Sequence, residues 1–258
     1  MRYVEIMYQP GVKRIAICFS GQPRTWKKCV DTWHNILYHH DRTSHIDVFC
    51  HLWDFNTISN ATEHADKSSE LIPQQELDEL ITYLKPKKFM IESERTFLPM
   101  NLNQAITESS WLSQFYSTNR AATLKKQYEI ENDFMYDVVV RSRYDSFYES
   151  KISDVYSLIK PNTMHGFHFG WESSTNRGRM GDICWIADSA THDLIADYYL
   201  NLGNIDKKWF NELVAEQVFF HYIKKNNINI QAYPWMIKLM RPSQKFSHSK
   251  SKDGYETW

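Results

Sequence analysis

Apolar residues along the chain fall into short runs that alternate with longer stretches of helical spacing. "RIAICF" (Arg14–Phe19) is a β-branched run of strand length. "SGQPR" follows as a turn, and "TWKKCVDTWHNIL" then places Trp26, Val30, Trp33 and Leu37 on one helical face. "IDVFCHLW" (Ile46–Trp53) predicts a second strand, with a polar loop rich in Asn, Ser and Asp after it. "PQQELDELITYL" opens on proline and stops before Lys85-Pro86, the punctuation of a helix, and "KKFMIES" predicts a third strand. From about Trp111 to Asn132 the spacing predicts a long helix, with Trp111, Phe115, Ala122 and Tyr128 as buried positions. That helix feeds a fourth strand, Asp137–Val140.

Strands alternating with helices predict an α/β fold built on a mostly parallel central sheet flanked by helices. The second half reads differently. "HGFHFGW" and "GDICWIA" are strand-like with an Arg/Gly-rich loop between them, helices are predicted over about 190–202 and 211–225, and "INIQAY" is a last strand. This half is therefore expected to be mixed. The chain has 258 residues, with no internal repeat or low-complexity linker, which predicts one domain. Residues from about 14 to 150 would form its first half, about 151–241 its second half and 243–258 a polar tail.

A formal net charge of −1 lacks the basic footprint of a general nucleic-acid binder, so no nucleic-acid partner is expected. An anionic ligand would have to be met by a local cluster of cations. Cys18, Cys29, Cys50 and Cys184 sit singly in apolar stretches, never at a C-x-x-C spacing, and read as small core residues of a reduced, cytoplasmic protein. No apolar run approaches the roughly 18 residues of a membrane span, and the N-terminus lacks a signal-peptide pattern.

The common site motifs are missing. "SGQPRTWKK" has neither the second glycine nor the Lys-Ser/Thr pair of a phosphate-binding P-loop, and no G-x-G-x-x-G, G-x-S-x-G or H-E-x-x-H occurs. Charged and small polar residues instead gather where the strands end. Ser20, Gly21, Gln22 and Arg24 follow the first strand, His51 and Asp54 the second, and "YDVVVRSRYDSFY" carries the fourth into Arg141, Arg143 and Asp145. In a parallel sheet these ends share one edge, the edge at which open α/β sheets bind ligands. Arginines there can fork onto phosphate oxygens, and an aspartate can hold a ribose hydroxyl or a divalent cation.

Plainer roles compete for each residue. Asp145 can be a turn acid or a partner for Arg141, Gly21 can serve the turn alone, and a strand-end histidine such as His51 is more often packed than ligating. His39-His40, His165 and His168 lack metal-site spacing.

"RIAICFSGQPRTW", "IDVFCHLWD" and "YDVVVRSRYDSFY", in this order and at this spacing, resemble a family of phage, giant-virus and bacterial glycosyltransferases with a GT-A-like fold. "GDICWIADS" and "EQVFFHYIKKNNINI" extend the resemblance to about Arg14–Arg241. It implies transfer of a sugar from a nucleotide-sugar donor to a glycan or glycoconjugate acceptor, with about 14–150 as the nucleotide-binding half and about 151–241 as the acceptor-side half. It also implies Mn²⁺ or Mg²⁺ held against the donor diphosphate by an Asp-any-Asp motif after the fourth strand. Here that motif reads Arg143-Tyr144-Asp145, so Asp145 alone remains as the metal-binding candidate, while Arg143 can itself offset phosphate charge. A carboxylate must also take the acceptor proton. Asp182, beside the Arg/Gly-rich loop, and Glu216, on a predicted helix, are the candidates. Two other classes stay open: a sulfotransferase-like enzyme, suggested by "SGQPRTWKK", and a non-catalytic nucleotide- or sugar-binding module.

Overall fold

The structure is a computed structural model that describes residues 13–37, 45–58, 68–93, 110–168, 180–204 and 215–240. Strands β1 (Arg14–Gly21), β2 (His45–Trp53), β5 (Lys88–Glu92), β6 (Val138–Ser142), β8 (Thr163–His168), β9 (Met180–Ala187) and β10 (Asn229–Tyr233) form a seven-stranded sheet in the order β10-β8-β9-β6-β1-β2-β5. β1 lies between β2 and β6 and runs parallel to both; β5 continues the parallel run beyond β2. β9 is antiparallel to its neighbours β6 and β8, and β10 is parallel to β8. The expected mostly parallel sheet with a mixed second half is what the chain forms.

Parallel strands buried on both faces read as unbroken apolar runs, and Ile15 to Phe19 are all buried. Ile15, Ile17 and Phe19 join Val138 and Val140 in the core on one face, where Trp26, Trp33, Leu77, Leu80 and Leu84 also pack. Ala16, Cys18 and Val139 meet Ala121 and Leu124 on the other. These last two residues belong to helix α4 (Ser110–Glu131), which crosses β1 and β2. A further cluster joins Leu112 and Phe115 of α4 to Trp185 of β9 and to Val218 and Phe219 of helix α6 (Ala215–Lys225). All four cysteines are buried and unpaired, and no described helix is long and apolar enough to cross a membrane.

Helix α3 (Gln74–Leu84) matches its sequence signals: Pro73 caps it, and Lys85 closes it in the left-handed conformation at φ 47° with its N–H on the Ile81 carbonyl. Three expectations need correction, and one further pair of strands had no sequence signal. The helix foreseen over Trp26–Leu37 breaks into α1 (Trp26–Cys29), a 3₁₀ turn (Val30–Thr32) and α2 (His34–Leu37). Within that break the Thr32 hydroxyl donates to the Cys29 carbonyl, a local bond that competes with helix. The helix foreseen over 190–202 ends early as α5 (Ser189–Ala196), where the Asn119 amide donates to the terminal Ala196 carbonyl; a 3₁₀ segment, Tyr199–Asn204, follows. The polar loop after β2 contains two paired strands, β3 (Phe55–Ile58) and β4 (Ser68–Leu71). Strands β7 (Ser146–Tyr148) and β11 (Ile237–Leu239) pair antiparallel and are too short for periodicity to reveal. The Arg/Gly-rich loop, residues 211–214 and the tail from Ser243 lie outside the described residues, as does the Trp111 side chain.

A buried charge group fastens α4 to α5. Lys125, with no exposed surface, reaches Glu129 at 2.9 Å, Asp193 at 2.8 Å and the Ser189 hydroxyl. Glu129 also accepts from the Tyr136 N–H and from Ser189. Removing one member of such a group strands the opposite charge in a low-dielectric interior. Lys125→Met is therefore expected to lower the unfolding free energy by about 3–5 kcal/mol, measured by urea titration, with circular dichroism confirming a folded starting state.

Candidate functional site

The strand order reverses direction at β1. The chain passes from β1 outward to β2 and β5, then returns to place β6 on the other side of β1. At such a switch the connections leave the carboxyl ends of adjacent strands in opposite directions and open a crevice between them. Gly21 ends β1 with φ 118°, a conformation that disfavours a side chain. The turn that follows holds Arg24 at φ 44°, with its backbone N–H on the Asn56 side chain at 2.9 Å. A non-glycine residue held in the left-handed region is costly and must be fixed by its surroundings. β6 ends at Ser142, and the chain turns through Tyr144 and Asp145, with the Ser146 N–H donating to the Arg143 carbonyl.

Arg24, Arg143 and Asp145 meet in this crevice. The Arg143 guanidinium forks onto Asp145, with Nε to Oδ1 and Nη2 to Oδ2 both at 2.8 Å. Arg24 Nη1 lies 3.5 Å from Asp145 Oδ2, and Arg24 Nε donates to Gln22 Oε1 at 2.8 Å. Asp145 is 1% exposed, whereas Arg24 and Arg143 keep 15% and 14% of their side chains open to solvent. Burial draws the Arg143 pKa down, but the charge and hydrogen bonds of Asp145 outweigh it, and the net shift is upward. The guanidinium therefore stays charged.

The contacts continue into the second half of the chain through a residue that sequence reasoning missed. Arg143 Nη1 donates to Gln114 Oε1 at 2.7 Å, and Gln114 Nε2 donates to Asp182 Oδ2 at 2.6 Å. Gln114 lies in α4 and joins the β6 turn to the start of β9. Arg141 does not join the crevice. It is fully buried over the Trp185 ring, donates from Nη1 to the carbonyls of Asp182 and Ile183, and has its pKa lowered to about 10 by burial first and Arg143 second. Its Nε and Nη2 have no hydrogen-bond partner among the described residues. Arg141 holds the strand that carries Asp182.

The other candidates lie around this line of contacts. Ser20 is buried and shares a 3.3 Å hydrogen bond with Thr118 of α4, which turns its hydroxyl away from the crevice. Asp54 accepts from Ser93, and its Oδ1 is buried without a partner among the described residues. Glu216 is partly exposed in the first turn of α6. That helix ends near the edge where β8 and β10 begin, since the Asn227 carbonyl accepts from Asn162; its first turn therefore points toward the edge where β6 ends.

His51 is also buried, with Nδ1 2.6 Å from the Ser117 hydroxyl and Nε2 2.8 Å from Glu92. The carboxylate can only accept, so Nε2 carries the proton and Nδ1 accepts from Ser117. Tyr116 and Arg120 complete the shell around Glu92. Burial lowers the His51 pKa; the His51 hydrogen bond, then Tyr116 and the nearby charges, take Glu92 down to about 2 against the burial effect. This is a packed structural group.

Asp145 does not fit the divalent cation implied by the family resemblance. Both of its oxygens already accept from a guanidinium, and among the described residues no group of three or more His, Cys, Asp or Glu side chains gathers as a metal cage. The expected metal-binding role is thus at odds with the donor set.

No protein-family model matches the chain, and no curated protein matches it in sequence. Among solved structures, the apo form of the glycosyltransferase GlyE of Streptococcus pneumoniae TIGR4 is similar, with 13% identity and a TM-score of 0.42. The aligned region covers 85% of this chain and 45% of that one, so this chain spans less than half the length of that enzyme.

The His51–Glu92 pair sets a pH dependence. Both folded-state pKa values lie below the ordinary ones, so the unfolded chain binds protons that the folded chain refuses, and stability falls as pH falls. The His51 contribution starts to be lost below about pH 6.5, and that of Glu92 between about 4.5 and about 2. His51→Gln keeps a donor for Glu92 without the titrating ring. Its unfolding free energy, measured by urea titration, is expected to fall less than the parent's between about pH 7.5 and 5.5.

Proposed function

We propose that the chain is a glycosyltransferase with a GT-A-like arrangement, moving a sugar from a nucleotide-sugar donor to a glycan or glycoconjugate acceptor. The observation that carries this reading is the pair of arginine side chains, Arg24 and Arg143, each keeping some solvent exposure, at the carboxyl ends of adjacent parallel strands where the strand order reverses. Such a position suits the phosphates of a nucleotide. Asp54, with one carboxylate oxygen unsatisfied beside β2, is assigned to the ribose hydroxyls. The turn through Gly21 and Gln22 brings backbone close to the donor.

Transfer requires the acceptor oxygen to bond to the anomeric carbon as the bond from that carbon to the diphosphate oxygen breaks. The electron pair leaves with the diphosphate, toward Arg24 and Arg143, where fixed positive charge stabilises it. The acceptor proton goes to a carboxylate. Asp182 is assigned this role because Gln114 ties it to Arg143 and so keeps it near the donor, with Glu216 as the alternative.

A thermal-shift screen of nucleoside diphosphates and nucleotide sugars against the full chain tests the reading. At least one nucleoside diphosphate should raise the midpoint by mass action, and the matching nucleotide sugar should be turned over with a glycan acceptor. Stabilisation by adenosine 3′,5′-bisphosphate, with no response to any nucleoside diphosphate, would move the chain to the sulfotransferase class. Asp182→Asn keeps the acceptor atom for Gln114 and removes the base. It is expected to lower kcat by about 10²- to 10⁴-fold and leave donor binding intact; an unchanged kcat would shift the base to Glu216.

A further inference from the structure

Asp145 is the one carboxylate left at the position where the family resemblance implies a metal-binding pair, and its surroundings are cationic. A Mg²⁺ or Mn²⁺ ion needs several oxygen ligands with lone pairs free to turn toward it. Both Asp145 oxygens face Arg143 at 2.8 Å, and Oδ2 also faces Arg24 at 3.5 Å. A cation seated on that carboxylate would have to displace one guanidinium and approach the other.

The donors of Arg143 point to a different use. A guanidinium has five N–H bonds. Nε and one N–H of Nη2 serve Asp145, and one N–H of Nη1 serves Gln114. One N–H therefore remains on each terminal nitrogen, and each can donate to a phosphate oxygen. Arg24 adds a second cation, its side chain held by Gln22 and its backbone by Asn56. Two cations share one buried carboxylate, which leaves the cluster net positive in the absence of ligand. Both are held in place beforehand, so little side-chain freedom is lost when an anion binds.

We propose that Arg24 and Arg143, clamped by Asp145 and Gln114, supply the counter-charge for the donor diphosphate in place of a divalent cation. This rests on the nucleotide-sugar reading above. Asp145 then acts as a positioning residue: it orients two arginines and does not touch the phosphates. Gln114 does the same from α4, and through Asp182 it relates phosphate binding to the acceptor side.

Isothermal titration of the full chain with UDP, GDP, CDP and ADP, each in excess EDTA and then in excess Mn²⁺, tests the proposal. A nucleotide that binds should do so with an affinity changed by less than about threefold between the two buffers. Arg24→Ala and Arg143→Lys should each weaken it by about 10- to 100-fold in both, as expected for losing a charge-assisted contact. Arg143→Lys keeps the charge and removes the fork, so its loss separates geometry from simple attraction. Asp145→Asn should weaken binding equally with and without Mn²⁺, because it frees the two cations to repel each other. Binding that needs Mn²⁺, survives Arg143→Lys and is lost in Asp145→Asn would overturn the proposal and leave the nucleotide-sugar reading standing. No nucleoside diphosphate binding in either buffer would overturn both.

Discussion

One helix with polar residues on its inner face governs much of this structure. Buried polar groups are costly unless hydrogen-bonded, and α4 brings an unusual number of them against the sheet. Ser117 meets His51, Thr118 meets Ser20, Asn119 meets the end of α5, and Lys125 meets Glu129 and Asp193. The Ser117 and Thr118 pairings are possible at one register of helix on sheet only, and the Asn119 and Lys125–Asp193 pairings fix α4 against α5. Apolar packing against Ala16 and Cys18 would tolerate a small slide; these bonds do not. Near the amino end of the same helix, Gln114 is delivered to the crevice with its position set by all the others.

The fold was legible where burial was complete. β1, β2 and β6 are covered on both faces, so their side chains read as continuous apolar runs, and the charges that follow them mark where the cover stops. Arg24, Arg143 and Asp145 were recognisable for that reason: arginine and aspartate directly after an apolar strand are conspicuous. Gln114 was not. Between Ser113 and Phe115 it resembles an ordinary solvent-facing glutamine, and only the spacing of Gln114, Ser117 and Thr118 along one side of a helix hinted at an inward polar stripe. The short pair β7 and β11 left no periodic trace, since three residues cannot display a period.

Ser20 and His51 show how a strand-end position can mislead. They are register partners on adjacent parallel strands, so both side chains leave the sheet on the same face. That face is covered by α4, and both residues are consumed by Thr118 and Ser117. Position along a strand decides which edge a residue approaches; the pleat decides which face it enters. Sequence order alone supplied the first and, without knowing which helix lay above, could not supply the second.

The threefold attachment of Arg143 also constrains how this site can change over time. Exchanging it for aspartate, the residue that a metal-binding pair would require, would place two carboxylates side by side, leave the Gln114 oxygen without its donor and set Arg24 alone against both acids. No single step of that kind passes through a satisfied intermediate. Residues 24, 114, 143 and 145 form one unit of substitution, and passage between a guanidinium-lined and a carboxylate-lined crevice would have to cross a valley in which buried charges stand unpaired.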